Sequence, residues 1–287
     1  MKDSPFRIAG HIGLNAPDDG LFKLSAGDDP VDQIRFMHDE GFTALEDNFM
    51  KLRPAAEQER IGAELQRLGM SFGTFVATFK TTGPMHVPYG ESTLSLASDD
   101  ESVIEQILDE IRESVEVGKR LDAAICTVLS GPFDPRQPWE YQTAQMIKNL
   151  RRCAEIAEAG GLTLGIEPIN GREWPNGFMT TVPHAYLMAS AVNSPACKLI
   201  FDAYHVQIET GSLLANLEAA WDQIAYIQIA DAPGRNELGT GEINYATFFQ
   251  RLRELGYDGI IGVEHGKSKP GVEGETAVIS ALRQALQ

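Results

Sequence analysis

The strongest constraint on this chain is an alternation: short apolar runs and amphipathic stretches replace one another eight times along its length. The apolar runs at 6–11, 44–48, 71–78, 123–130, 163–169, 198–202, 225–230 and 259–264 read as strands. The stretches at 31–40, 54–68, 102–120, 139–159, 182–191, 213–221, 246–255 and 275–286 read as helices. In the third of these, Val103, Ile104, Ile107, Leu108, Ile111 and Val115 form one stripe at three/four spacing. Gly41, Gly69, Gly160-Gly161 and Gly256 stand where left-handed caps would close helices. Eight such units without a break in composition predict an α/β chain folded as a single (β/α)8 barrel, one domain over 1–287. A doubly wound sheet would carry a Gly-rich fingerprint after its first strand, and that is missing. The long connections at 12–30, 79–101 and 231–245 all follow strands, so function is expected at the strands' C-terminal ends.

Charge narrows the function. With 24 basic and 41 acidic residues the net charge is −17, which repels phosphate backbones and anionic lipid, so neither nucleic acid nor membrane is an expected partner. The longest apolar runs fall well short of the ~18 residues of a membrane span. The start, Met1-Lys2-Asp3-Ser4-Pro5, lacks the apolar core of a secretory signal. Cys126, Cys153 and Cys197 are odd in number and widely spaced, which reads as buried core thiols of a cytoplasmic protein.

Four late strands end in groups that strand patterning alone would not choose: Glu167, Asp202, Gln228 and Glu264. In a closed parallel barrel these ends surround one axis. Converging carboxylates repel and are costly to desolvate unless each is paired with a nearby cation or amide, or a divalent ion is shared. Two Glu, one Asp and one Gln oxygen make an all-oxygen shell suited to one Mg2+ or Mn2+ more than Zn2+. Asp231 is a rival ligand, but its place suits a residue that opens a turn. Arg235 is suited to clamp a substrate carboxylate by a bidentate pair. His11, at the end of the first strand, is a pocket candidate, while His265 should face away from the axis by strand alternation. Gly239-Thr240-Gly241, with no following Lys, reads as a loop turn rather than a phosphate cradle. Phe6, Phe72, Phe75 and Trp174 suit either a pocket wall or the core.

Certain segments make the chain familiar: Gly165-Ile166-Glu167-Pro168-Ile169-Asn170, Phe201-Asp202-Ala203-Tyr204-His205-Val206-Gln207, and Ile227-Gln228-Ile229-Ala230-Asp231-Ala232-Pro233-Gly234-Arg235. Gly239-Thr240-Gly241-Glu242-Ile243-Asn244-Tyr245 and Gly256-Tyr257-Asp258-Gly259 continue them. From roughly residue 150 onward the chain resembles the xylose isomerase-like TIM barrel superfamily of sugar isomerases and epimerases, and is most similar to the hydroxypyruvate isomerase family. The resemblance implies one divalent metal held by Glu167, Asp202, Gln228 and Glu264, with Glu167 and Glu264 doubling as the catalytic acid/base pair. It also implies substrate contacts from Glu173, His205 and, allowing a one-residue slip, Arg235. Gln228 fits the hydroxypyruvate branch, since many relatives, ketose 3-epimerases included, carry His there. The family's sequence departs here at Glu264-His265, where Glu-Tyr is usual, and in the first half, including the loop at 81–89.

The implied activity is metal-dependent aldose–ketose isomerisation of a small sugar or sugar acid, such as hydroxypyruvate or tartronate semialdehyde, by enediolate proton transfer. The alternatives on the same metal site are a ketose 3-epimerase and a polyol dehydratase; the non-enzyme alternative is a sugar-binding barrel with a vestigial site. The superfamily's endonucleases use a multi-zinc, His-rich site and a basic DNA face, which six histidines and a charge of −17 do not match. The resemblance further implies a homo-oligomer, dimer or tetramer.

Overall fold

The structure, a computed structural model, describes residues 4–77 and 94–287. Its strands are β1 (Arg7–His11), β2 (Ala44–Glu46), β3 (Ser71–Phe72), β4 (Ile125–Val128), β5 (Thr163–Ile166), β6 (Cys197–Asp202), β7 (Ile224–Ile229) and β8 (Ile260–Val263). All pair in parallel, in the order β3-β2-β1-β8-β7-β6-β5-β4. The first strand lies beside the last, which an open doubly wound sheet does not do and a barrel must. The remaining seam closes on a short bridge between Val76 and Thr127: Thr127 N donates to Phe75 O and Ala77 N to Thr127 O, each at 2.8 Å.

Ten helices accompany these strands among the described residues: α1 (Lys23–Ala26), α2 (Pro30–Glu40), α3 (Ala55–Leu68), α4 (Glu101–Leu121), α5 (Trp139–Ala159), α6 (Val182–Val192), α7 (Ala203–Glu209), α8 (Leu213–Ala219), α9 (Tyr245–Glu254) and α10 (Gly271–Ala285). Asp29, Asp100 and Thr181 open α2, α4 and α6 by accepting a backbone N–H with the side chain. The α4 stripe lies against the core, with Ile104, Ile107, Leu108, Ile111 and Val115 buried and Val103 at its edge. At the end of α5 the left-handed residue is Gly161 (φ 74°); Gly160 is right-handed, and a Cβ there would meet Val115 Cγ1 at 2.4 Å. No described helix is long and apolar enough to cross a membrane.

Six of the eight strands are shorter than their apolar runs, while β6 gains Cys197 and β7 keeps its length one residue earlier. The run at 71–78 keeps only two ladder residues before the Val76 bridge, and its last residue, like the loop at 81–89, lies outside the described residues. Two helices lie inside stretches read as loops: α1 within 12–30, and α7 directly after β6. The last helix begins at Gly271 rather than Glu275, and the helix expected at 213–221 ends at Ala219, followed by a 3-10 turn at Trp221–Gln223.

Ala9, Ala44, Ile125, Ile200, Tyr226 and Ile260, from six different strands, form a buried cluster of their own, apart from the larger core between strands and helices. Phe6, Phe72 and Phe75 belong to that larger core. Burial pushes Cys126, Cys153 and Cys197 up to about 12, so none is poised as a nucleophile.

Candidate active site and metal centre

Backbone register brings the strand-end groups together. Asp202 lies opposite Gln228, and Gln228 opposite Gly262, two residues before Glu264. Glu167 and Glu264 each extend their ladders one step past the strand, donating N–H to Val128 O and Ile229 O at 3.2 Å. All four side chains are buried. Asp202 has a second task that sequence reading missed. Its Oδ1 accepts from Tyr204 N (2.7 Å) and His205 N (3.3 Å), starting α7 and leaving Oδ2 for the site. An Asp before a run of helix-compatible residues was the available signal.

Arg235 reaches into this group from the loop after β7. Its NH2 lies 2.8 Å from Glu264 Oε2 and 3.5 Å from Asp202 Oδ2, and its NH1 donates to Glu173 Oε2 at 3.1 Å. The guanidinium sits 5.1 Å from the centre of the Tyr204 ring, and Tyr204 OH donates to Glu173 Oε1 at 2.6 Å. Glu173 and Tyr204 therefore brace the arginine as a unit. The second oxygen of Glu264, Oε1, accepts from Asn48 Nδ2 at 2.8 Å.

His205 is buried, and its protonation pattern follows from Asn170. Asn170 Oδ1 accepts from the backbone N–H groups of Arg172 (3.1 Å) and Glu173 (3.0 Å), which turns Nδ2 toward His205 Nδ1 at 2.7 Å. Nδ1 must then accept. Burial holds the ring well below the usual imidazole range, so the neutral ring carries its proton on Nε2. That N–H faces Glu167 Oε1 at 3.7 Å and Asp202 Oδ2 at 3.6 Å. One ligand atom each from Glu167, Asp202 and His205 lie within 4.8 Å of one another, a grouping that could suggest a metal triad. With Nε2 protonated, however, the imidazole has no lone pair there for a cation. His11, at the end of β1, donates Nε2–H to His265 O at 3.0 Å, leaving buried Nδ1 as an acceptor with no hydrogen bond. His265 is itself buried, with Nδ1 on Gly266 O at 2.6 Å.

The donor set suits a hard cation. Glu167 Oε1, Asp202 Oδ2 and Gln228 Oε1 are buried and accept no hydrogen bond, an arrangement costly for protein alone. Burial, reinforced by the charges of Glu264 and Asp202, pushes Glu167 well above the usual carboxylate range. Burial pushes Asp202 up to about 7, with Glu264 adding to it and Arg235 opposing it. A divalent ion would relieve both carboxyls at once. Two further polar side chains at the site, Glu46 and Asn48, went unread in the sequence. In Ala44-Leu45-Glu46-Asp47-Asn48 three polar residues follow one another, and only period-2 alternation separates Glu46 and Asn48 from Asp47, which instead pairs with Arg53.

Asp231 organises the loop that carries Arg235. Its Oδ1 accepts from Ala232 N (2.9 Å) and Ile243 N (3.1 Å), and its Oδ2 from Gly239 N (2.7 Å) and Gly241 N (2.9 Å). The amides of the Gly239-Thr240-Gly241 turn are thus committed internally, as a loop turn and not a phosphate cradle. Asp231→Ala should strip four amides of their acceptor and cost about 3 kcal/mol or more. Urea unfolding reads this directly; an unchanged midpoint would show that water replaces the carboxylate freely.

Comparison with known proteins places the fold. The model of a family described as xylose isomerase-like TIM barrel matches residues 34–285. The 2-oxo-tetronate isomerase of Pectobacterium atrosepticum is 28% identical over 245 residues, covering 84% of this chain and 89% of that protein. The hydroxypyruvate isomerase of Escherichia coli K12 is 30% identical over 161 residues, covering 56% of this chain and 62% of that protein. A crystal structure described as an AP endonuclease, family 2, from Brucella melitensis superposes with a TM-score of 0.77 at 24% identity, covering 97% of each chain. At that identity the likeness is one of fold.

Proposed function

Because the chain belongs to the xylose isomerase-like TIM barrel family, we propose that it is a divalent-cation-dependent isomerase of a short hydroxylated oxo acid of the hydroxypyruvate or 2-oxo-tetronate type. Its named relatives are isomerases, and so is this chain; the substrate, the cation and the residue roles are our reading. One observation carries it: three buried oxygens that accept no hydrogen bond, from Glu167, Asp202 and Gln228, stand beside a braced guanidinium. The oxygens ask for a cation, and the guanidinium suits a carboxylate-bearing substrate. We take 1–287 as the single domain that carries this site.

Glu167, Asp202, Gln228 and Glu264 would hold Mg2+ or Mn2+, all through oxygen. The ion supplies Lewis acidity toward the vicinal oxygens of the substrate. Glu167 and Glu264 carry the proton work: one removes the carbon-bound proton, and the other serves the adjacent carbon or its hydroxyl. His205 donates Nε2–H to a substrate oxygen, and His11 Nδ1 accepts from a hydroxyl. Glu173 holds one edge of Arg235, leaving NH2 to exchange Glu264 and Asp202 for the substrate carboxylate.

The test is turnover of hydroxypyruvate, tartronate semialdehyde, 2-oxo-tetronate and short ketoses in deuterated water, with Mg2+ or Mn2+ present and then chelated. The expected result is the isomeric product with one solvent deuterium, abolished by chelation. Neither product nor deuterium from any of them would leave a binding barrel. A carbon-three epimer or loss of water would replace the isomerase by an epimerase or dehydratase.

A further inference from the structure

β2 supplies no ligand to the proposed cation, yet its last residue, Glu46, and Asn48 two residues beyond it are buried polar side chains turned onto groups at the ends of β7 and β8. Asn48 Nδ2 donates to Glu264 Oε1 at 2.8 Å, and Glu46 Oε1 accepts from Gln228 Nε2 at 3.3 Å. Glu46 is 1% exposed, and no lysine or arginine pairs with it among the described residues. A carboxyl in that setting is expensive to keep, and the barrel makes room for it deliberately. A Cβ on Gly262 would lie 2.2 Å from Glu46 Oε1 and 2.3 Å from its Cδ. Gly262 is also the register partner of Gln228, so the missing side chain on β8 is what lets the Glu46 carboxyl reach the Gln228 amide.

The chemistry of an amide ligand explains why such a contact is needed. A carboxylate offers an oxygen whichever way it rotates. A carboxamide turned by half a revolution offers NH2, which repels a cation. In a buried site the orientation is set by which protein atom accepts from the NH2. For Gln228 that atom is Glu46 Oε1, and Gln228 Oε1 is left buried without a hydrogen bond. We propose that Glu46 is a positioning residue of the cation site, holding the Gln228 carboxamide so that its oxygen and not its nitrogen is available to the metal. The assignment rests on Gln228 being a ligand, as proposed above.

The experiment strips the full-length protein with chelator and titrates Mn2+ by calorimetry, in wild type, Glu46→Leu, Glu46→Gln, Gln228→Ala and the Glu46→Leu/Gln228→Ala double variant. Glu46→Leu, which removes the acceptor at similar volume, should weaken Mn2+ by about 10-fold or more. Glu46→Gln keeps an accepting oxygen and should stay within about threefold of wild type, and Glu46→Leu should cost nothing further once Gln228 is Ala. Wild-type affinity in Glu46→Leu, equal losses in Leu and Gln variants, or the same loss with and without Gln228 would each overturn the assignment. Wild type that binds no Mn2+ would instead remove the cation site itself, and this role with it. Should Glu46→Leu fail to fold, Gly262→Ala keeps Glu46 but takes the space of its carboxyl. It should weaken Mn2+ in the same way, and undiminished affinity there overturns the assignment equally.

Discussion

Glu167→Gln lowers kcat by about 10^3-fold or more and weakens the cation it would ligate while leaving KM close to wild type, and Glu264→Gln lowers kcat comparably but disturbs both KM and metal affinity more. Both substitutions preserve shape and remove a proton acceptor. The difference between them comes from hydrogen bonding. Glu167 Oε1 accepts no hydrogen bond, so an amide can replace the carboxylate there without orphaning a donor. Glu264 has both oxygens engaged, one by Asn48 Nδ2 and one by Arg235 NH2, each at 2.8 Å. An amide at 264 must turn its own NH2 toward one of those donors, which frees either the asparagine or the arginine. Steady-state kinetics together with Mn2+ titration separate the two patterns. Near-normal turnover in both variants with metal bound would remove the glutamates from the proton transfer.

In the metal-free protein, stability falls as pH rises from about 6.5 to 8, and saturating Mg2+ or Mn2+ flattens that fall. Asp202 is pushed from the ordinary 3.8 up to about 7, chiefly by burial, and burial places Glu167 and Glu46 well above their usual range. An acid whose folded pKa is raised holds protons that the unfolded chain has released. Its contribution is complete below the unfolded value and is lost as pH climbs through the folded one. Asp202 alone accounts for a change on the order of a few kcal/mol between pH 3.8 and 7, of which roughly 1 kcal/mol falls above pH 6.5, where Glu167 and Glu46 add to it. Buried histidines act oppositely at lower pH. His265, lowered by burial to about 4, and His11 and His205, lowered by burial, lose stability as pH drops below their ordinary 6.5. The range above about 6.5 therefore isolates the carboxyls. Bound cation replaces the protons, so the gain in Tm on adding it should be larger at pH 8 than at pH 6.5. Equal gains at both values, measured by thermal melting with and without chelator, would mean that cation and protons do not compete for the same oxygens.

Much of the site could be read from strand ends. Glu167, Asp202, Gln228 and Glu264 stood out because each interrupts an apolar run, and Asp231 because it opens a glycine-rich turn. Glu46 and Asn48 did not, because they sit in a polar cluster where Asp47, paired with Arg53, looks the same in one dimension. Tyr204 and Asn170 lie within familiar motifs, but their tasks depend on partners: Tyr204 braces Glu173, and Asn170 sets the imidazole of His205. The helix after β6 was hidden because it starts on the strand's own last residue, with no intervening loop to announce it.

What the amino-acid order determined alone was periodicity: eight strands, the helices between them and the polar groups that end four late strands. These depend on neighbours three to four residues away in helices or two in strands, and so are written locally. What only the tertiary structure decided was pairing. Gln228 meets Glu46 across 182 residues of chain, and Glu264 meets Asn48 across 216. Such partners are chosen by closure of the barrel, which sets β1 between β2 and β8 and carries the end of β2 to the ends of β7 and β8. No local pattern records a distance that exists only once the sheet has closed on itself.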